Sequence, residues 1–149
     1  MDKNQFYIST DPELLDMDLI HHSLSDKSYW ASGRAYETVV ESFRNSLGFG
    51  LYRKSDNEMI GFCRVLTDYA TVAYILDFFV IEGSRGSGLG KMLIEEVLSH
   101  VKLKAVRRFM LATRDAHGFY AQYGFKPIAH PEFFMEKFVD HGTDPCAED

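Results

Sequence analysis

The chain has 149 residues, of which 46% are hydrophobic, and a formal net charge of −6 at pH 7. This length matches one domain that buries a single core, and the hydrophobic fraction argues against an intrinsically disordered chain. The acidic balance argues against nucleic acid as a partner, because a phosphate backbone calls for a basic surface. It is compatible with a cationic substrate.

The cysteines and the N-terminal residues indicate where the protein resides. Cys63 and Cys146 form no C-x-x-C motif and belong to no metal-ligand pattern, which predicts a reduced chain without a bound metal. The polar start, MDKNQ, lacks the apolar region of a signal peptide, and no run approaches 18 apolar residues. We therefore expect a cytoplasmic protein that does not bind membranes.

The N-terminal third predicts one short strand and two helices. Phe6–Ile8 reads as the strand. Asp11 and Pro12 are typical of an N-cap and a first helical position, so a helix is expected to begin there. The apolar spacing of Tyr36–Ser46 predicts a second amphipathic helix, which Gly48 is expected to end.

The middle of the chain predicts three strands, at Phe49–Arg53, Met59–Thr67 and Ala73–Ile81. The last of these is apolar at every position that could face either side, with the exception of Asp77. This pattern is typical of a central strand buried on both faces of a sheet. A carboxylate buried in that setting needs an ion-pair partner or a catalytic role.

The remaining elements follow a glycine-rich turn at residues 83–90. A helix comes next, with an apolar stripe of Leu89, Leu93, Val97 and Val101. Arg108–Thr113 predicts a strand, and a short helix is expected at Ala116–Tyr123 with Asp115 as its N-cap. The predicted last elements are a hairpin of Phe125–Ile128 with Phe133–Phe138 and a frayed tail over residues 142–149. The whole chain is expected to form one mixed α+β domain.

The segment Arg85–Lys91 lies between a predicted strand and a predicted helix, an arrangement suited to binding phosphate. Backbone N–H groups of such a loop converge on an anion, and glycines let the backbone approach it closely. A Walker A motif fails here, because Arg85 replaces its first glycine and Met92 replaces its hydroxyl residue. The dinucleotide pattern G-x-G-x-x-G fails as well, because Lys91 occupies its last position.

The same loop fits a third pattern, R-x-x-G-x-G, through Arg85, Gly88 and Gly90. Downstream, after a predicted helix and strand, the sequence FYAQYGF at residues 119–125 pairs an aromatic residue with Tyr120 ahead of Gly124. In this order and at this separation, the two motifs resemble those of the GNAT superfamily of N-acetyltransferases. The resemblance spans nearly the whole chain and is sharpest between residues 64 and 125.

The resemblance implies the GNAT fold, which is a mixed, mostly antiparallel sheet with a central splay and about four flanking helices. It also implies acetyl-CoA as co-substrate, lying between the two splayed strands. Backbone groups near Phe79 and Val80 would pair with the pantetheine arm, and Tyr120 would lie near the thioester sulfur. Thr113 and His117 would contact the coenzyme. The pyrophosphate would bind the amides of the loop, which are those of Arg85, Gly86, Ser87, Gly88, Leu89, Gly90 and Lys91.

Acetyl transfer to an amine needs a base and an acid. A lysine-like amine is protonated at pH 7, and freeing its lone pair costs about 4.6 kcal/mol, so a base must accept a proton. Asp77 is a candidate for the base or for an anchor of the amine, and an ion pair with Arg64 is the structural alternative. Asp68, Glu82 or a chain of waters could also take the proton. Tyr120 is a reasonable acid for the leaving thiolate.

Residues of the acceptor side are predicted from the resemblance to be Trp30, Arg34, Asp68 and Tyr69. The expected acceptor is the primary amine of a small molecule, attacked directly in a ternary complex without a metal. A non-catalytic acyl-CoA-binding domain and a protein or peptide N-acetyltransferase are the alternatives. A homodimer is expected by analogy with relatives.

Overall fold

The computed structural model describes residues 2–140, and these form a five-stranded sheet in the order β1-β2-β3-β4-β5. Every neighbouring pair of strands is antiparallel except β4 and β5, which are parallel. The strands are β1 (Phe6–Ser9), β2 (Leu47–Arg53), β3 (Met59–Thr67), β4 (Val72–Val80) and β5 (Arg108–Met110). The helices are α1 (Met17–Lys27), α2 (Tyr36–Arg44), α3 (Leu89–Ser99) and α4 (His117–Ala121).

Helices cover both faces of this sheet, which confirms the predicted α+β class. On one face, α1 and α2 bury a cluster that includes Ile20, Val39 and Phe43 against Phe62 and Phe79. On the other face, α3 and α4 pack on the same strands. That second cluster includes Leu93, Ile94, Val97 and Tyr120 with Phe49, Val65, Ala73 and Ile75. Within residues 2–140, no helix is long and apolar enough to cross a membrane.

The first helix begins later than predicted. Asp11 accepts a hydrogen bond from the Glu13 N–H at 3.0 Å, but it caps only a 3-10 helix, Pro12–Leu14. The chain is extended at Leu15, and α1 starts after Asp16, whose carboxylate accepts the Leu19 N–H at 3.0 Å. Two acidic caps therefore stand five positions apart, and the second one starts the helix.

Gly48 does not end the second helix, because it lies inside β2. The helix stops at Arg44, and Asn45 closes its last turn by donating its side-chain amide to the Glu41 carbonyl at 2.9 Å. A Cβ at Gly48 would lie 3.1 Å from Leu15 and 3.2 Å from Phe43. The glycine is thus explained by the close approach of the helical layer to the strand.

A β-bulge interrupts β4 at the residue that the sequence singled out. Phe62 faces Phe79 and Arg64 faces Leu76, so Asp77 and Phe78 together oppose one residue of β3. Asp77 adopts a φ of 52°, a left-handed conformation in which aspartate is one of the few tolerated side chains. The bulge therefore places Ile75 and Asp77, which a regular strand would put on one face, on opposite faces of the sheet.

The predicted opening between the two central strands is present. β4 and β5 pair only over three residues, from Val72 with Arg108 to Tyr74 with Met110. β5 ends there rather than at Thr113, while β4 continues to Val80. The far half of β4 consequently has no strand beside it on that edge within the described residues.

Three predictions for the C-terminal part are wrong. Val101 is 68% exposed, because α3 ends at Ser99. The N-cap residue of α4 is Ala116, whose N–H donates to Thr113 Oγ1 at 3.0 Å, so Asp115 is not the cap. The hairpin is absent, because residues 126–140, which we call the C-terminal arm, contain no strand and are exposed throughout. The tail at 142–149 lies outside the described residues.

The hydroxyl of Tyr52 is buried and accepts or donates no hydrogen bond among residues 2–140. It lies over Gly50, where a Cβ would come within 2.2 Å of the hydroxyl oxygen. Burial, together with the neighbouring Tyr7, Asp11 and Asp16, raises the pKa of Tyr52 to about 12. An unpaired polar group of this kind costs stability.

We predict that Tyr52→Phe raises the free energy of unfolding by about 1 kcal/mol at pH 7, because it removes a buried hydroxyl without a partner. The raised pKa means that the folded protein holds the phenol proton more tightly than the unfolded chain does, so the wild type loses stability as the pH rises from 10 toward about 12. The variant should therefore lose stability less steeply than the wild type over this pH range. Urea denaturation at several pH values measures both effects.

Tyr7→Phe is the matched control. Tyr7 stacks on Tyr52 at 5.1 Å, but its own hydroxyl donates to Asn57 Oδ1 at 2.9 Å. Removing that bond should cost about 0.5 kcal/mol rather than add stability. Equal losses of stability in the two variants would contradict the role assigned to the Tyr52 hydroxyl.

Candidate functional site

The glycine loop leads directly into α3. Gly88 is the N-cap residue of this helix with a φ of 82°, and Gly86 has a φ of 79°. No atom lies within 4 Å of a Cβ built at either position, so the space above both residues is open. The first N–H groups of a helix have no intrahelical acceptor, and the helix dipole favours an anion beside them. The loop thus presents free backbone donors to an accessible space.

A pocket of about 500 Å³ lies over this loop. It is lined by Phe78, Val80, Ser84, Arg85, Gly86, Gly88, Gly90, Lys91 and Phe119. Six of these are residues that the sequence predicted for the coenzyme. Phe78 and Phe119 were not predicted, and their rings, 5.9 Å apart, form an apolar wall below the loop.

The other predicted residues of the loop contribute backbone rather than side chain. The side chain of Leu89 is buried in a cluster with Phe6, Leu51 and Ile60. The Ser87 hydroxyl donates to the Ser84 carbonyl at 2.6 Å, which closes the turn. Their backbone amides remain part of the loop.

Arg85 folds back on the end of β4. Its Nε donates to the Val80 carbonyl at 2.8 Å, and its guanidinium lies 5.0 Å from the centre of the Phe79 ring. Ile81 donates to Ile60 across the sheet, so the alternation of an antiparallel pair turns the backbone groups of Val80 away from β3. Arg85 is hydrogen-bonded to the Val80 carbonyl, and the Val80 N–H faces the opening between β4 and β5.

Tyr120 lies behind the loop pocket on the α4 side, where its ring contacts Phe78 and Phe119, which line that pocket. The residue is buried, and its ring packs edge-on against Phe78 and Phe125, with ring centres 5.9 and 5.8 Å away, respectively. Burial raises the pKa of the Tyr120 hydroxyl, and nearby Cys63 and Tyr29 raise it further. The hydroxyl therefore keeps its proton throughout the physiological range and can act only as a donor of it.

Asp77 is the centre of a charged cluster on the α1–α2 face. Arg64 Nε donates to Asp77 Oδ2 at 2.6 Å, and Arg34 donates to both carboxylate oxygens at 3.1 and 3.2 Å. Trp30 Nε1 adds a fourth bond, to Oδ1 at 3.1 Å. The ion pair with Arg64 that the sequence offered as the alternative is therefore present, and Trp30 and Arg34 of the predicted acceptor side join it.

Asp68 and Tyr69 lie away from this cluster. They belong to the turn before β4, five or more residues of strand from Asp77, or about 16 Å at the usual rise. Asp68 accepts the N–H groups of Ala70, Thr71 and Val72, and the Thr71 hydroxyl, and these bonds hold its pKa well below the ordinary range. It caps a turn at the far end of the strand.

The remaining predicted residues lie at the edge of the opening. Glu82 is exposed in the short 3-10 helix before the glycine loop. His117 is exposed at the start of α4, and the Thr113 hydroxyl is engaged as the acceptor described above. Neither Thr113 nor His117 lines the loop pocket. Among residues 2–140, no three His, Cys, Asp or Glu side chains come together as metal ligands.

A groove of about 520 Å³ lies on the opposite face of the sheet, between α2 and β3. Arg64 lines this groove while its Nε holds Asp77, so it connects the groove to the bulge. The sequence did not indicate the groove, because it is formed by residues from two distant segments. Its lining consists of Glu37, Thr38, Glu41, Ser42, Asn45, Ser46, Arg64 and Leu66.

One contact across the opening was also missed. The Arg114 guanidinium lies 3.8 Å from the centre of the Tyr29 ring, and the Arg114 N–H donates to the Tyr29 hydroxyl at 3.1 Å. These residues are 85 positions apart, and no local pattern marks either of them. The contact joins the loop after α1 to the loop before α4.

Comparisons with known proteins agree with this geometry. A crystal structure from Xanthomonas campestris, of a protein provisionally named as an acetyltransferase of the GNAT family, is 44% identical, with a TM-score of 0.86 over 90% of this chain and 93% of that one. Glucosamine-6-phosphate N-acetyltransferase from Arabidopsis thaliana shares the fold alone, with 17% identity and a TM-score of 0.62 over 91% of this chain and 99% of that one.

A curated protein of Gibberella zeae, provisionally named as an acetyltransferase, is 30% identical over 143 residues, which cover 83% of this chain and 81% of that protein. The sequence model of the Acetyltransferase (GNAT) family matches residues 17–125, which include the glycine loop, the bulged strand and Tyr120. The chain therefore belongs to the GNAT family of acetyltransferases.

Proposed function

We propose that this protein transfers the acetyl group of acetyl-CoA to a primary amine of a small molecule, by direct attack within a ternary complex. The observation that carries the proposal is the position of the glycine loop. Its open amides lie at the N-terminus of α3, in one pocket with the free edge of β4 and the aromatic wall that includes Phe119. This arrangement suits a ligand that has both a pyrophosphate and a long, partly apolar arm.

The residues present fit that ligand. Gly86 and Gly88 leave room for phosphate oxygens beside the backbone, and Lys91 adds a positive charge at the rim of the pocket. The Val80 N–H faces the opening and is suited to stabilise the oxygen of the attacked carbonyl. When bound there, acetyl-CoA would supply an activated thioester as the acyl donor.

Tyr120 is suited to protonate the leaving group. The amine nitrogen forms a bond to the thioester carbon, the carbon–sulfur bond breaks with its electron pair on sulfur, and the thiolate takes the phenolic proton. Burial favours the neutral form of Tyr120, which ensures that the proton is present before the thiolate forms. The phenolate of Tyr120 then regains a proton from solvent or from the amine, which regenerates the phenol.

The roles predicted for Asp77 as base or as anchor of the amine stay predictions, and the geometry favours the structural alternative, an ion-paired carboxylate. Three donor groups already make four hydrogen bonds to its two oxygens, so little capacity remains to accept a further proton from the amine. We propose that Asp77 holds Arg34, Arg64 and Trp30 in place beside the acceptor. The proton of the amine then leaves through water in the groove that Arg64 lines.

The test of the proposed function is release of CoA thiol from acetyl-CoA in the presence of a panel of amines. The panel should contain small primary amines, amino acids and short peptides with free N-termini. We expect turnover with at least one small amine. Tight CoA binding without turnover on any amine would support a non-catalytic acyl-CoA-binding domain, and turnover on peptides alone would support a peptide N-acetyltransferase.

We predict that Gly88→Ala raises the KM for acetyl-CoA about tenfold. A side chain in the left-handed conformation costs about 1–2 kcal/mol, and relief of that strain moves the amides that bind the pyrophosphate. Gly83→Ala is the matched control, because it also faces open space but has no positive φ. An equal KM in the two variants would contradict the assignment of the loop.

We predict that Tyr120→Phe lowers kcat about 100- to 1,000-fold and changes the KM for acetyl-CoA by less than about threefold, because the hydroxyl acts on the leaving group. Tyr123→Phe serves as the control, since the Tyr123 hydroxyl lies beside Glu95 at 3.5 Å, on the α3 side of the same aromatic cluster. Steady-state kinetics with matched circular dichroism spectra measure the effect. A Tyr120→Phe enzyme with nearly full kcat would remove Tyr120 from the mechanism.

We predict that Asp77→Asn lowers the free energy of unfolding by about 3 kcal/mol, because two half-buried guanidinium groups lose their counter-charge. Adding Arg34→Gln should recover part of that loss. The acid limb of the kcat/KM profile against pH should persist in Asp77→Asn if Asp77 anchors neighbouring groups. Loss of that limb at unchanged stability would identify Asp77 as the base instead.

A further inference from the structure

Arg34 and Arg64 share a single carboxylate. Both guanidinium groups lie against Asp77, and among residues 2–140 no other carboxylate comes within 4 Å of either one. The side chains of Arg34 and Arg64 are 24% and 13% exposed, so the cluster carries one half-buried positive charge in excess. Glu37 and Glu41 line the groove beside Arg64, but they are exposed, and water screens their charges too strongly to balance that excess.

Asp77 does not need Arg34 to balance its own charge. Arg64 Nε donates to Asp77 Oδ2 at 2.6 Å, and Trp30 Nε1 donates to Oδ1 at 3.1 Å. These two donors supply one positive charge and a hydrogen bond to each carboxylate oxygen. Arg34 meets the same oxygens through Nη1 alone, at 3.2 and 3.1 Å. Its guanidinium is therefore available for a second contact.

The second edge of the Arg34 guanidinium, formed by Nε and Nη2, donates to no atom of the described residues. Two nitrogens on one edge of a guanidinium match the two oxygens of a carboxylate and hold it with parallel hydrogen bonds. Arg53 uses this same edge within the chain, because its Nε and Nη2 both donate to Asp56, at 3.2 and 3.0 Å. Arg34 thus presents an open carboxylate-binding edge beside a surplus positive charge.

The backbone around Arg34 holds this side chain in position. The Arg34 N–H donates to the Ala31 carbonyl at 3.0 Å, and the Arg34 carbonyl accepts from His21 Nε2 at 3.0 Å. Gly33 has a φ of 76° and donates its N–H to the Ser25 carbonyl at 3.1 Å, which fixes the turn that precedes Arg34. A ligand held by an arginine that is already ordered loses less free energy to ordering than one held by a mobile surface side chain.

We propose that Arg34 binds a carboxylate of the acceptor, so that the substrate is an amine that also carries a carboxylate, as amino acids do. This inference rests on the proposed acetyl transfer and names the class of its acceptor. Asp77 joins Arg34 to β4 at the residue before Phe78, which lines the loop pocket on the other face. A molecule held at Arg34 therefore lies against the strand that also borders the loop pocket, and its amine stays free to attack.

Matched pairs of acceptors test this assignment. The panel contains ω-amino carboxylates of increasing chain length, each beside its carboxamide, and the rates are corrected for the fraction of neutral amine. We expect at least one acid to exceed its carboxamide by about tenfold or more in kcat/KM, because only the acid makes two charge-assisted hydrogen bonds to Arg34. Carboxamides that equal their acids at every length would overturn the inference, and their turnover would leave the proposed function intact.

Substitution of Arg34 should remove the preference for the acid. In Arg34→Gln the ratio of acid to carboxamide should fall to about twofold or less, because the binding edge is gone while Asp77 keeps Arg64 and Trp30. Arg53→Gln is the matched control, since Asp56 already fills its binding edge, and it should leave the ratio unchanged. An Arg34→Gln enzyme that loses activity on acid and carboxamide equally would show a purely structural role and overturn the inference.

The Nε–H resonances of arginine test binding without any turnover. Butanoate, which has a carboxylate and no amine, is titrated into nitrogen-15-labelled protein, and Arg34→Gln identifies the Arg34 signal. We expect that signal to move with butanoate and to stay in place with butanamide, while the Arg53 signal stays in place with both. An Arg34 signal that does not move at about 100 mM butanoate would refute the subsite. Movement of the signal without turnover on any amine would support the subsite and count against the proposed function.

Discussion

The buried carboxylate of Asp77 holds the site together. It is the extra residue of a bulge, in a left-handed conformation that costs about 1–3 kcal/mol and persists only where neighbours enforce it. Those neighbours are Trp30 and Arg34 from the segment after α1, and Arg64 from β3. The strain of the bulge is thus offset by ion pairs and hydrogen bonds that fasten the helical layer to the sheet. Removing the carboxylate would leave two guanidinium groups facing each other.

The same bulge explains how one strand contributes side chains to sites on both faces of the sheet. Asp77 turns toward the α1–α2 face, where Arg64 leads to the groove, and Phe78 turns toward α4, where it lines the loop pocket. In a regular strand Ile75 and Asp77 would lie on the same face, but the extra residue lets Ile75 pack toward the α3–α4 layer while Asp77 and Phe79 point toward the α1–α2 layer. A donor and an acceptor bound on opposite faces would meet at the opening that follows Tyr74. This separation supports direct transfer without a covalent intermediate on the protein.

The sequence was most informative where a local pattern decides the structure. The limits of β3 were predicted to the residue, because an apolar run between two turns leaves little choice of where the strand begins and ends. The glycine loop was located because a backbone that binds an anion closely needs the conformations that glycine allows. The start of α1 was missed, since Asp11 and Asp16 are both competent caps and tertiary packing selects between them. The contact between Tyr29 and Arg114, and the groove beside Arg64, join distant segments and leave no local signal. The left-handed conformation of Asp77 is likewise decided by its three donor side chains, which come from distant segments.

The predicted hairpin of the arm fails in a different way. Residues 133–138 have the apolar character of a strand, yet a strand forms only where a partner supplies hydrogen bonds and a surface to cover. In the single chain that partner is missing, and the apolar side chains stay in water. The local pattern therefore predicts the apolar character of the segment, whereas strand formation depends on a pairing partner that the local sequence does not specify.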